Sequence, residues 1–274
     1  MSIDTTTPPA PPAPATVGRR ARPEPAAIPT SRILAVELRK MFDTRSGFWL
    51  MASIGILSVV ATGATIIFAA REDLTFESFA TAIGIPMNVV LPMLAVLAVT
   101  SEWSQRSGLT TFTFVPDRRR VITAKAVVTL AIGIAGMVLA LGVGAVGNLV
   151  GTAIAGVDPV WNINPQEFAQ IVLANEITML IGFTLGVLLR SSAGGIVGYF
   201  VFSFVLPGVS GALASTQQWW ADNAAWFDLN TATFPLFDSE MTGEAWAQLG
   251  VTSLVWLAIP LTVGLAMLMR SEVK

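Results

Sequence analysis

The chain has 274 residues, 53% of them hydrophobic and only 12% charged, a net charge of −2, and neither cysteine nor histidine. Soluble domains carry about 25% charged residues, so this composition, with six apolar runs of roughly 20 residues each, places the chain in a bilayer rather than in water. The missing cysteine excludes disulfides, zinc–thiolate centres and thiol nucleophiles; the missing histidine removes the commonest metal ligand and general base and argues against a hydrolase.

Residues 1–30 are rich in Pro, Ala and Thr, with Arg19, Arg20 and Arg22 among them. Such a segment cannot bury enough apolar area to offset its ordering entropy and is expected to be a disordered cytoplasmic tail. No apolar core follows the Arg19–Arg20 pair, so neither a secretory nor a twin-arginine signal is expected. Residues 31–46 differ. Thr30 or Ser31 can cap a helix there. At about 100° per residue, Leu34, Leu38, Met41 and Phe42 share one face and Arg32, Arg39, Lys40 and Asp43 the other, with Val36 breaking the pattern. This predicts an amphipathic helix lying in the membrane interface; the alternative is a cytoplasmic extension of the first span.

The predicted spans are 47–70, 79–100, 126–150, 168–189, 193–213 and 246–269. Phe48 and Trp49 lead the first at the interface. Pro86 and Pro92 lie in the second, where each removes an intrahelical hydrogen bond, so a kink or break is expected. The third is full of Gly and Ala. Only Arg190, Ser191 and Ser192 separate the fourth and fifth, a tight hairpin.

Charge fixes the expected orientation. With both termini inside, fifteen of the sixteen basic residues fall on the cytoplasmic face and only Arg71 lies outside, as Lys and Arg, which resist translocation, require. The predicted fold class is thus an all-α membrane protein with six transmembrane helices, N-in and C-in, preceded by an N-terminal amphipathic interfacial helix. Residues 1–30 form the tail and 31–274 one six-span domain. The outer connections are acidic and aromatic. The largest, 214–245, holds Trp219, Trp220, Trp226, Phe227, Phe234 and Phe237 and is read either as short re-entrant helices at the outer interface or as a plain extracellular loop.

Between the second and third spans runs TSEWSQRSGLTTFTFVPDRRRVITAK, Thr100–Lys125. Five basic residues stand there against Glu102 and Asp117. In the middle, Gly108–Val115 alternates small hydroxyls with Leu109 and Phe112 before Pro116 ends the run. From its residues this is either a basic loop that merely fixes orientation or an element held near the surface for a partner. The segment resembles the first cytoplasmic loop of type-2 ATP-binding-cassette (ABC) transporter permeases. In that family an acidic residue closes the second span, a basic residue and a Gly follow, a Pro precedes a basic cluster, and a Lys opens the third span. Here the matching positions are Glu102, Arg106, Gly108, Pro116, Arg118, Arg119, Arg120 and Lys125. Ser107 widens the usual basic–Gly spacing, and the Thr-rich Thr110–Thr113 run belongs to only some branches. The resemblance extends through the six-span layout of 31–274, in which the helix at 31–46 matches the family's elbow helix. It implies that the loop, with Leu109 and Phe112 as apolar contacts, docks a cytoplasmic ABC ATPase chain.

No G-x-x-x-x-G-K-[ST] stretch occurs, so this chain has no nucleotide site of its own and ATP and magnesium would be bound by the partner ATPase. Gly147/Gly151, Gly182/Gly186 and Gly194/Gly198 have the spacing that lets helices approach closely, within one chain or at a dimer seam. Glu176, with Asn175, sits about two turns inside the fourth predicted span. A carboxylate at that depth either lines a pathway or marks a span that starts later and leaves it at the interface. Asn88 and Asn148 are weaker candidates. The resulting expectation is a non-enzymatic permease subunit of a bacterial ABC exporter in the cytoplasmic membrane. It would pair with a second permease copy or paralogue and an ATPase, carry a hydrophobic or amphipathic substrate, and bind no nucleic acid. The rivals are an ion-coupled transporter using Glu176 and a non-transporting assembly or immunity protein.

Overall fold

Lipid offers no hydrogen-bond partner to a peptide group, so long apolar runs must satisfy their backbone internally, as helices. The structure, a computed structural model, describes residues 28–104, 118–237 and 241–270, and for Glu102, Ser104 and Arg118 the backbone alone. Within it, all regular structure is helical, and six helices are long and apolar enough to cross a membrane. That is the layout of a multi-pass membrane protein.

Helix α1 spans Thr30–Asp43. Its cap position is Pro29, which contributes no side-chain bond, so neither Thr30 nor Ser31 caps it as expected. The Thr30 hydroxyl instead accepts from the Arg120 guanidinium at 3.1 Å. The apolar face also divides differently. Ile33, Glu37 and Met41, four residues apart, are buried, whereas Val36, Leu38 and Phe42 stay exposed. Thr44 then takes extended backbone, separates α1 from α2 (Arg45–Phe68), and caps α2 by accepting from the Gly47 N–H at 3.1 Å. The corner needs a glycine at 47, because a Cβ there would run into the Met41 carbonyl.

Helix α3 (Phe76–Ser104) passes unbroken through Pro86 and Pro92. Pro92 cannot donate to the Asn88 carbonyl one turn back, and the Tyr199 hydroxyl donates to that carbonyl in its place. Helix α4 (Arg118–Ala155) has 38 residues and is roughly 57 Å long by helical rise, against a hydrocarbon core of about 30 Å. It begins eight residues before the predicted third span, so Arg118–Lys125 form its first two turns rather than loop. Helix α5 (Pro165–Leu189) opens with a reciprocal cap between Asn164 and Glu167 and with Pro165 in its first turn. It ends at Arg190, whose φ of 52° is left-handed and therefore costly for a side chain.

Helices α6 (Ser192–Thr216) and α9 (Gly243–Arg270) each contain one π turn, Val201–Val205 and Leu254–Ala258. Each lies just before a proline, Pro207 and Pro260, where the regular ladder must open. The Phe202 carbonyl, which a π pattern would pair with the missing N–H of Pro207, accepts from Asn230 at 3.2 Å. Between α6 and α9 the chain folds back as α7 (Gln218–Asn223) and α8 (Leu229–Thr233) with two 3-10 turns. Leu229 and Leu236 bury themselves against Tyr199, Phe202 and Ile181. The 214–237 segment is therefore short helices packed on the bundle, with Trp219 and Phe227 left exposed.

The bundle centres on α3, which packs against α2, α4, α5 and α6. Glycines set its closest approaches. A Cβ on Gly182 would meet the Pro92 carbonyl oxygen at 2.5 Å, and one on Gly147 would strike Thr62 and Phe79. The Gly147/Gly151 and Gly182/Gly186 pairs thus serve packing within the chain, while Gly194 and Gly198 make ordinary contacts with the end of α5. The α1 end, which carries the basic cluster, is called the basic end; the end bearing α7 and α8 is the aromatic end.

Candidate functional site

Three helices meet at the basic end around one charge pair. Glu37 projects from the inward stripe of α1 between Ile33 and Met41, and Lys125 from the second turn of α4. Their side chains are 5% and 2% exposed, and Lys125 Nζ donates to Glu37 Oε2 at 2.6 Å. Lys125 also donates to the Ala98 carbonyl of α3 at 3.2 Å, and Lys40 donates to Glu37 Oε1 at 2.7 Å. Arg120 completes the clamp by donating to the Ile28 carbonyl at 2.7 Å, at the start of α1. Two buried ions are stable only when mutually paired and further hydrogen-bonded, and this cluster meets both conditions. It ties α1 to the ends of α3 and α4, the two helices that flank the 105–117 connection.

This placement divides the residues of the expected docking loop. Arg106, Gly108, Leu109, Phe112 and Pro116 lie outside the described residues. The backbones of Glu102 and Arg118 lie in the last turn of α3 and the first of α4. Arg119 is exposed. Lys125, expected to face a partner, points inward to Glu37: its ammonium is part of the fold and is not offered to another chain. Sequence reading missed Glu37, although Ile33, Glu37 and Met41 at successive fourth positions mark an acid on a buried apolar stripe.

A second buried acid lies midway along the bundle. Glu176 is the twelfth residue of α5, with about 16 Å of helix preceding it. It is buried beside Gly133 of α4, and neither carboxylate oxygen has a hydrogen-bond partner among the described residues. A Cβ on Gly133 would run into the carboxylate, so the glycine makes its niche. Asn175, next along the chain, faces elsewhere. It lines a cavity of about 430 Å³ at the aromatic end, with Glu77, Thr81 and Asn88. The structure therefore does not bring Glu176 and Asn175 into one site. Asn148 Nδ2 donates to the Val160 carbonyl at 3.0 Å, while its buried Oδ1 has no partner among the described residues.

No family model and no curated protein matches the chain. Among the described residues no group of three or more acidic side chains is placed to hold a metal ion. The chemistry on offer is a basic-end clamp, an unpartnered buried carboxylate and an apolar cavity at the opposite end.

Proposed function

We propose that the chain is the membrane-embedded permease subunit of a bacterial ABC exporter of the type-2 class, moving a hydrophobic or amphipathic substrate. In this reading both termini and the basic end face the cytoplasm, α1 lies in the interface with Leu38 and Phe42 toward lipid, and two permease chains assemble with two ATPase chains. The observation that carries it is the buried Glu37–Lys125 pair. Breaking a buried ion pair is strongly destabilising, and this one is braced by Lys40 and the Ala98 carbonyl, so α1, α3 and α4 move as one body when a partner displaces the 105–117 connection. The chain supplies no nucleotide motif, so ATP closure in the partner supplies the force.

The assembly is tested by purifying the affinity-tagged native chain from its own membranes in mild detergent. A stoichiometric ATPase partner is expected; purification to homogeneity with no ATP-hydrolysing chain contradicts the reading. Orientation is tested with single cysteines on the cysteine-free background. Cysteines at Ser31 and Ser192 are expected to be shielded from an impermeant thiol reagent in intact cells, and those at Asp158 and Asp222 to react. External labelling at Ser192 overturns the topology.

Glu176 favours a second reading, an ion-coupled transporter, because an unpartnered intramembrane carboxylate is a functional group by default. Transport by reconstituted chain driven by an ion gradient without ATP would establish it.

A further inference from the structure

Helix α1 is fixed about its own axis. Lys125 and Lys40 hold Glu37, and Ile33 and Met41 are buried on the same stripe, so the remaining α1 positions have set directions. At about 100° per residue, the exposed Leu38 and Phe42 lie about 120° round from that stripe, and the exposed Arg32 and Arg39 about 150° round on the other side. The two outward stripes are about 90° apart by the same geometry. With Leu38 and Phe42 against the acyl region, the two arginines therefore point along the membrane plane, away from the bundle. The headgroup level is marked just beyond Thr44, where Phe48 and Trp49 are exposed with ring centroids 5.8 Å apart and where a Trp ring is favoured.

Charge on this side is unspent. Lys125 and Lys40 are committed to Glu37, and Arg120 to the Ile28 carbonyl. Arg32, Arg39 and Arg45 make no ion pair or hydrogen bond among the described residues. Asp43 is the one exposed acid of α1, and it forms no ion pair with Arg39, four residues before it. Arg32 and Arg39 are separated by about 10 Å of helical rise. Ala35 and Val36 flank the gap between them, so no long side chain occupies it.

We infer that this outward side of α1 binds an anionic phospholipid, with the phosphate between Arg32 and Arg39 and the acyl chains beside Leu38 and Phe42. Guanidinium groups take phosphate oxygens in charge-assisted pairs, and a basic amphipathic helix gains from buried apolar area and anionic headgroups together. A zwitterionic lipid brings its own ammonium and offsets that attraction. An acidic protein arriving from the cytoplasm would match the arginines but leave Leu38 and Phe42 uncovered; a lipid covers both stripes. The inference rests on the interfacial placement of α1 in the proposed reading and not on an ATPase.

The test uses the full cysteine-free chain carrying Ala35→Cys, labelled with a fluorophore, in phosphatidylcholine nanodiscs at low salt. Increasing fractions of lipid brominated near the glycerol quench the probe. Brominated phosphatidylglycerol is expected to reach half-maximal quenching at roughly a twentieth of the fraction that brominated phosphatidylcholine needs, about fivefold per arginine. Arg32→Gln with Arg39→Gln should abolish the preference, and Asp43→Asn should increase it. Salt at about 1 M, where the screening length is about 3 Å, should remove most of it. A probe on Ile67→Cys, exposed at the far end of α2, should show no preference. Equal quenching by the two lipids at Ala35, an equal preference at Ile67, or a preference that survives the double glutamine variant overturns the proposal alone. Absence of quenching by either lipid at Ala35 overturns the interfacial placement of α1 with it. A double glutamine chain that keeps its lipid preference but loses an ATPase from native membranes assigns the arginines to that partner and also overturns the proposal.

Discussion

Glu37 and Glu176 are equally hidden, at 4% and 8% exposure, yet they sit in opposite circumstances. Glu37 is met by two lysines, one of which also holds the Ala98 carbonyl. Glu176 lies against a glycine, with both oxygens unpartnered among the described residues. The first arrangement fixes where three helices sit. The second destabilises the fold it belongs to, and such a cost is characteristically retained at functional positions. Burial alone does not separate these two acids; the partners do.

Breaking the basic-end pair should have the largest effect. Lys125→Met leaves Glu37 buried without its main partner and should cost about 3–5 kcal/mol, read as a fall in Tm of the detergent-solubilised chain. The double variant Glu37→Leu with Lys125→Met removes both charges and should recover most of that loss. If the single and double variants are equally unstable, the pair is not the lock described.

At the other acid the sign reverses. Glu176→Met removes an unsatisfied buried group and should raise stability by about 1–3 kcal/mol while transport falls. A variant that is destabilised, or stabilised with full transport, would remove the contrast with Glu37. The smallest effect belongs to Tyr199→Phe, which leaves the Asn88 carbonyl freed by Pro92 without a donor. About 1 kcal/mol is expected, and a loss beyond about 3 kcal/mol would mean the hydroxyl has a further role.

Much of this was legible in sequence, and the exceptions have physical causes. Hydropathy located all six long helices because each must present apolar surface over a bilayer's thickness. It could not find the start of α4, because Arg118–Arg120 are polar and helical at once and a transfer scale sees only the polarity. It kept α1 to a single apolar stripe, whereas the helix has two, one against protein through Ile33 and Met41 and one outward through Leu38 and Phe42. Prolines were visible; the side chains that rescue their orphaned carbonyls, Tyr199 and Asn230, come from distant segments and were not. Lys125 was drawn into the docking set by its position beside the arginines, and only the fold reveals that α1 supplies an acid to receive it.

In the proposed permease, the 105–117 connection couples an ATPase to a rigid basic end. The most direct measurement of that coupling is co-purification of the ATPase with a Leu109→Asp, Phe112→Asp chain, which keeps every basic residue and the Glu37–Lys125 pair. The account predicts a chain that reaches the membrane with native Tm and topology but without ATPase and without transport. Native amounts of ATPase on that variant, with normal transport, would contradict it.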